Sequence, residues 1–114
     1  MPPTKQSTFE VNASAEIGAS LSSIALSLMN AKIYHQNVDT ILAKKGLSFR
    51  SNGEFIEVVI APIRAEKSKI SITSKSAWST TLIDWGVNAQ NIERFEQLVR
   101  QLVNLVRLLE KHKA

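Results

Sequence analysis

The sequence predicts an α+β fold in which two helices lie on the apolar face of an antiparallel sheet of four or five strands. Three observations predict it. Residues 47–60 and 69–75 alternate apolar and polar positions beside turn signals, as strands with one dry and one wet face do. Residues 17–28 and 92–109 carry apolar residues at steps of three and four, the helical period. The 114 residues can build one core and not two, so these elements share it. The expected order is β-α-β-β-β-α, with a single domain over residues 8–114.

Residues 1–7, with two prolines and nothing apolar to bury after Met1, read as a disordered leader. Thr8 to Asn12 then alternates and places Phe9 and Val11 on one face of a short strand. Asn12 or Ser14 can cap the next helix, with Glu16 in its positive first turn. Ile17, Leu21, Ile24 and Leu28, with Ala25 between them, form its apolar stripe, and Ser20, Ser23 and Ser27 form the other side. Residues 30–45 read two ways. Ile33-Tyr34-His35 continues the helix or forms a strand, and Thr40 to Ala43 forms another.

Asn52-Gly53 flanked by alternating residues is a hairpin signature, because both central positions of a type I′ turn need positive φ. A two-residue loop there pairs Phe49 with Ile56 and Leu47 with Val58. The dry face is then Leu47, Phe49, Ile56, Val58 and Ile60, and the wet face holds Ser48, Arg50, Phe55, Glu57 and Val59. Pro62 belongs at a strand end or edge. Glu66-Lys67-Ser68 forms the next turn, and Ile70 and Ile72 point inward from the last strand. Asn88 is placed to cap the final helix, whose stripe Ile92, Phe95, Val99, Leu102, Val106 and Leu109 runs beside a second row at Leu98 and Leu105. At about 22 residues it extends roughly 33 Å.

Composition narrows the chemistry. There is no cysteine, so no disulfide framework and no thiolate metal site. No Gly-x-Ser-x-Gly elbow, phosphate-cradling loop or His-Glu-x-x-His motif occurs. His35 and Asp39 are spaced like a helical ligand pair but lack the third ligand of catalytic zinc. His112 lies in a charged tail. The expectation is therefore a protein without catalytic residues, metal or cofactor. A net charge of +4 comes from basic residues scattered singly, with Lys44-Lys45 the one adjacent pair, so nucleic acid is not expected as a partner. Polar residues interrupt the apolar stretch at 17–31, which is too short to span a membrane, and the first residues lack a secretory pattern. The expected compartment is the cytoplasm.

Three sets of residues stand out. Trp78 and Trp85, with Asp84 as the charged group between them, have the composition of a ligand pocket in the segment before the long helix. Leu98, Leu105, Val106 and Leu109 exceed what one sheet contact can cover, which suggests self-association as a dimer. Arg50, Phe55 and Val59 mark the wet sheet face as a partner surface. Two functions follow: a non-enzymatic interaction module that self-associates through its last helix, or a carrier or sensor of a small apolar ligand between sheet and helix.

The run Ile70-x-Ile72-x-Ser74-x-Ser76, then Asp84-x-Gly86-Val87-Asn88 and Ile92-x-x-Phe95, resembles the closing segment of the DUF1499 proteins, a bacterial family of unknown function. The resemblance covers residues 69–99 and implies a serine-bearing strand leading into a terminal helix, with no activity attached. The element order is also similar to helix-grip or TBP-like arrangements. Fold alone does not assign a function.

Overall fold

A computed structural model describes residues 3–46, 53–77 and 86–113. The elements are β1 (Thr4–Val11), α1 (Ala15–Leu28), β2 (Ala31–Gln36), β3 (Thr40–Lys45), β4 (Glu54–Arg64), β5 (Lys67–Ser76) and α2 (Val87–Lys113). The strands form one antiparallel sheet in the order β1-β5-β4-β3-β2. The first strand therefore crosses to the far side of the last, and β1 and β2 are the edges. Both helices pack on the same face.

The period-two patterns place the core as expected. Phe9, Val11, Ile56, Val58, Ile60, Ile70 and Ile72 are buried on the inner face. Phe95 meets Phe9 edge-on with ring centroids 6.1 Å apart, a favoured aromatic geometry. Ser14 caps α1, its Oγ accepting from the Ile17 N–H at 3.2 Å.

Several expectations are corrected. The first strand begins at Thr4, not Thr8, because Thr4 to Ser7 pair with Lys75 to Ile72, so these residues are not a disordered leader. Residues 31–45 resolve as two strands, and Asn30, at φ 62°, turns the chain between α1 and β2. The strand opposite β4 is residues 40–45, with Lys45 facing Glu54 and Ile41 facing Val58. The expected two-residue hairpin, which opposed 47–51 to 54–58, is therefore replaced by a longer connection; Leu47 and Phe49 lie outside the described residues. Gly53 keeps its positive φ of 98°, and a Cβ there would meet the Lys45 carbonyl oxygen at 2.9 Å. The turn before β5 is at residues 65–66, and Lys67 and Ser68 already belong to the strand.

Helix α1 buries only part of its expected stripe. Gly18, Leu21, Ser22, Ala25 and Leu26 are buried, whereas Ile24 and Leu28 are 46% and 56% exposed. The cause is a close approach: a Cβ on Gly18 would stand 3.0 Å from Ser68 Oγ and 3.7 Å from Ile60 and Ile70 side-chain atoms. Gly18, Ser22 and Ala25 let the helix backbone come close to the sheet, and Leu21 and Leu26 are buried with them, while Ile24 and Leu28 stay outside.

Candidate ligand site at the loop end of the sheet

The inner face is apolar along most of its length, interrupted by Ser68 under α1, and at the opposite end it gathers a set of polar side chains. Continuing the inward row of β5 beyond Ile70 and Ile72 gives Ser74 and Ser76, and extending that of β4 back from Ile56 gives Glu54. All three are buried. Above them lie the first turns of α2, whose Asn88 and Asn91 point down and are buried as well. Buried polar groups must find partners, and these find one another.

Asn88 accepts from Ser74 Oγ at 2.8 Å and donates through Nδ2 to Ser76 Oγ at 3.0 Å and to the Pro3 carbonyl at 3.2 Å. It is thus not the helix cap; the Gly86 carbonyl receives the first helical bond from the Gln90 N–H, and the Asn88 side chain ties α2 to β5 and to the start of β1. One turn later, Asn91 donates to Glu54 Oε1 at 3.0 Å and to Ser74 Oγ at 3.1 Å, while its Oδ1 accepts from Lys45 Nζ at 3.1 Å. A single amide therefore joins a buried acid to a half-buried amine. The chain brings a carboxylate, an ammonium, two amides and two hydroxyls into one layer beneath α2, at the end where the β3–β4 connection and the β5–α2 connection leave the sheet.

Beside this layer a groove of about 390 Å³ runs between the edge strand β1 and the first turns of α2, lined by Lys5, Gln6, Ala89, Ile92 and Glu93 among others. Farther along α2, Arg100 closes over the Phe9 ring at 5.1 Å and bonds Glu96 at 3.0 Å and the Glu10 carbonyl at 3.4 Å.

The predicted site residues divide. Trp78, Asp84 and Trp85 fall in the connection that enters the polar end and lie outside the described residues, as does Arg50. Leu98 is 7% exposed and belongs to the core, so it is not available to a partner; α2 points this side of its turn at the sheet. Val106 is half-buried against the core. Leu105 and Leu109 are exposed, together with Leu108. Phe55 and Val59 are 40% and 37% exposed on the outer sheet face, the side read as wet.

Sequence reasoning missed Lys45, Glu54 and Asn91. Glu54 had a usable signal, since period two from Ile56 places it inward. Asn91 had a weaker one, standing a helical turn from Asn88. Their pairing had none, because it joins residues 37 apart along the chain.

No family model matches the chain, and no curated protein matches it either. Solved structures do. A START superfamily protein from Mycobacterium smegmatis superposes with a TM-score of 0.66 at 12% identity, over 90% of this chain and 98% of that one. The fold is a helix-grip fold. An uncharacterised protein from Bacillus thuringiensis gives the same TM-score at 7% identity, over 89% and 98%. A point mutant of Thalictrum flavum norcoclaurine synthase, in complex with a transition-state analogue, matches with a TM-score of 0.55 at 11% identity, over 100% and 98%. At such identities the likeness is one of architecture, and the helix-grip framework places the polar layer under the long helix. Among the described residues no helix is long and apolar enough to cross a membrane, and no group of three or more His, Cys, Asp or Glu is placed to hold a metal.

Proposed function

We propose that this helix-grip chain carries or senses a small, mainly apolar ligand held between the sheet and α2. The observation that supports it is the polar layer of Glu54, Asn91 and Asn88 set into the end of an apolar sheet–helix interface, next to the groove along Ala89 and Ile92. A core under no constraint but stability would place apolar residues there, since replacing a buried ionic group by packed hydrophobic ones is often neutral or better. The groove beside it, about 390 Å³ and within the size range of ligand sites, offers Ala89 and Ile92 as an apolar wall between charged and polar side chains that include Lys5, Gln6, Glu93 and Arg100. A neighbour of the same fold was crystallised with a transition-state analogue, which is in keeping with ligand binding by this framework. Trp78, Asp84 and Trp85, outside the described residues, remain candidate ligand contacts in this reading, and the chemistry is binding without turnover. The DUF1499 resemblance of residues 69–99 adds no activity to it.

The test is fluorescence of the uncharged probe N-phenyl-1-naphthylamine, with tryptophan emission followed in parallel and native mass spectrometry of the purified protein. The expected result is probe enhancement, lost when Ala89→Leu fills the groove. A probe that stays dark, tryptophan emission that does not move and a mass equal to the bare chain would refute the reading.

A second reading rests on the last turns of α2, where Leu105, Leu108 and Leu109 are 51%, 56% and 62% exposed. Two copies pairing there through Leu105, Val106 and Leu109 would form an isologous dimer. Sedimentation that gives a dimer, converted to monomer by Leu105→Glu, is the expected result; a monomer at micromolar concentration would overturn it.

A further inference from the structure

The outer face of the sheet, opposite the proposed ligand site, gathers cations that are far apart in the chain. The register sets Lys32 of β2 opposite Lys44 of β3, Lys44 opposite Phe55 of β4, and Phe55 opposite Lys75 of β5. All four are exposed. With strands about 4.8 Å apart the row crosses the sheet over roughly 14 Å. Among the described residues none of the three lysines takes part in an ion pair.

Two features of this row cost stability. Like charges placed directly opposite on neighbouring strands repel, yet Lys32 faces Lys44. Phe55 and Tyr34 are 40% and 56% exposed beside them, and Lys32, Tyr34, Lys44 and Phe55 together line a shallow depression of about 430 Å³. The Lys44 ammonium stands 5.4 Å from the Phe55 ring centroid. A partner that is anionic and carries flat rings would relieve both costs at once, with the lysines meeting its charges and the aromatic side chains meeting its rings.

We infer that this face binds single-stranded nucleic acid, with phosphates on Lys32, Lys44 and Lys75 and bases stacked on Tyr34 and Phe55. Duplexes fit poorly, because their bases are already stacked inside and cannot reach the rings. An anionic bilayer would take up side chains that project beyond the lysines, whereas Phe55 lies within their row. The surface is independent of the ligand reading, being on the other side of the sheet.

The experiment is fluorescence anisotropy of a labelled 12-nucleotide single strand titrated with the full chain between 20 and 200 mM salt, against the same sequence as a duplex, phosphatidylserine vesicles and polyglutamate. The expected dissociation constant is of the order of 10⁻⁴ to 10⁻⁶ M. Three phosphate contacts give a slope of about −2 for log affinity against log salt. Lys44→Glu should weaken binding at least ~10-fold and flatten the slope. Phe55→Ala should weaken it roughly 5-fold or more without changing the slope, because stacking is not salt-dependent in this way. Lys111→Glu, on the helical tail, should leave it unchanged, and circular dichroism of each variant shows that the fold is kept. No binding to the single strand, equal or tighter binding to the duplex, vesicles or polyglutamate, or indifference to either Lys44→Glu or Phe55→Ala would overturn the inference.

Discussion

Asn91→Ala tests whether the polar layer holds the fold together. The amide makes three hydrogen bonds, to Glu54 Oε1, to Ser74 Oγ and from Lys45 Nζ. Truncation takes that donor from the Glu54 carboxylate, which is 2% exposed. Removing one hydrogen-bond partner of a buried group costs about 1–3 kcal/mol, and more where the group is charged, because that group keeps its desolvation penalty. For a domain of this size that is a fall of roughly 4–12 °C in Tm. Urea unfolding followed by circular dichroism at neutral pH measures it, with the slope unchanged if only stability is altered. The double variant Glu54→Leu/Asn91→Ala removes the buried acid as well and should recover at least ~1 kcal/mol of the loss, the coupling expected of contacting residues. A loss below ~1 kcal/mol for Asn91→Ala, or no recovery in the double variant, would show that the layer is solvated and that its burial carries no structural load.

The remaining predictions follow from other parts of the core. Ser22 is fully buried in α1 and its Oγ has no hydrogen-bond partner among the described residues, so Ser22→Ala should stabilise by ~0.5–1.5 kcal/mol in the same urea assay, through the lost orphan hydroxyl and the better helix former. Gly18→Val should cost ~2 kcal/mol or more, since even its Cβ meets Ser68 Oγ at 3.0 Å and overpacking forces the helix off the sheet; a neutral result would mean that α1 rides higher than described. Phe95→Ala, at a fully buried ring against Phe9, should cost ~3–5 kcal/mol in thermal unfolding. By contrast Leu105→Glu, on an exposed site, should change monomer stability by no more than ~0.5 kcal/mol.

Local periodicity carried most of the architecture. The inward rows of β4 and β5 follow from alternation, and Phe95 and Val99 of α2 from steps of three and four, because a residue's side of a strand or helix depends only on its neighbours in the chain; Leu98, buried, and Leu109, exposed, depart from the expected stripe. The N-cap was narrowed to Asn12 or Ser14 for the same reason, and the structure selects Ser14. Where two local patterns competed, sequence could not choose. In α1 the expected stripe split, with Leu21 and Ala25 buried but Ile24 and Leu28 exposed, because the helix is seated by the close approach of Gly18 to Ser68, Ile60 and Ile70, residues that come from β4 and β5.

The sequence by itself determined which faces of β4 and β5 are dry, how many cores the chain can build and that no cysteine or familiar catalytic motif is present. Only the tertiary structure decided which strands are neighbours. That choice puts Glu54 within reach of Asn91, and it lines up Lys32, Lys44 and Lys75, which look isolated along the chain, in a single row. The physical reason is that alternation fixes a strand's face but says nothing of its partner: pairing is settled when long loops close and the shared core packs, so a charge cluster spread over three strands has no counterpart in linear order.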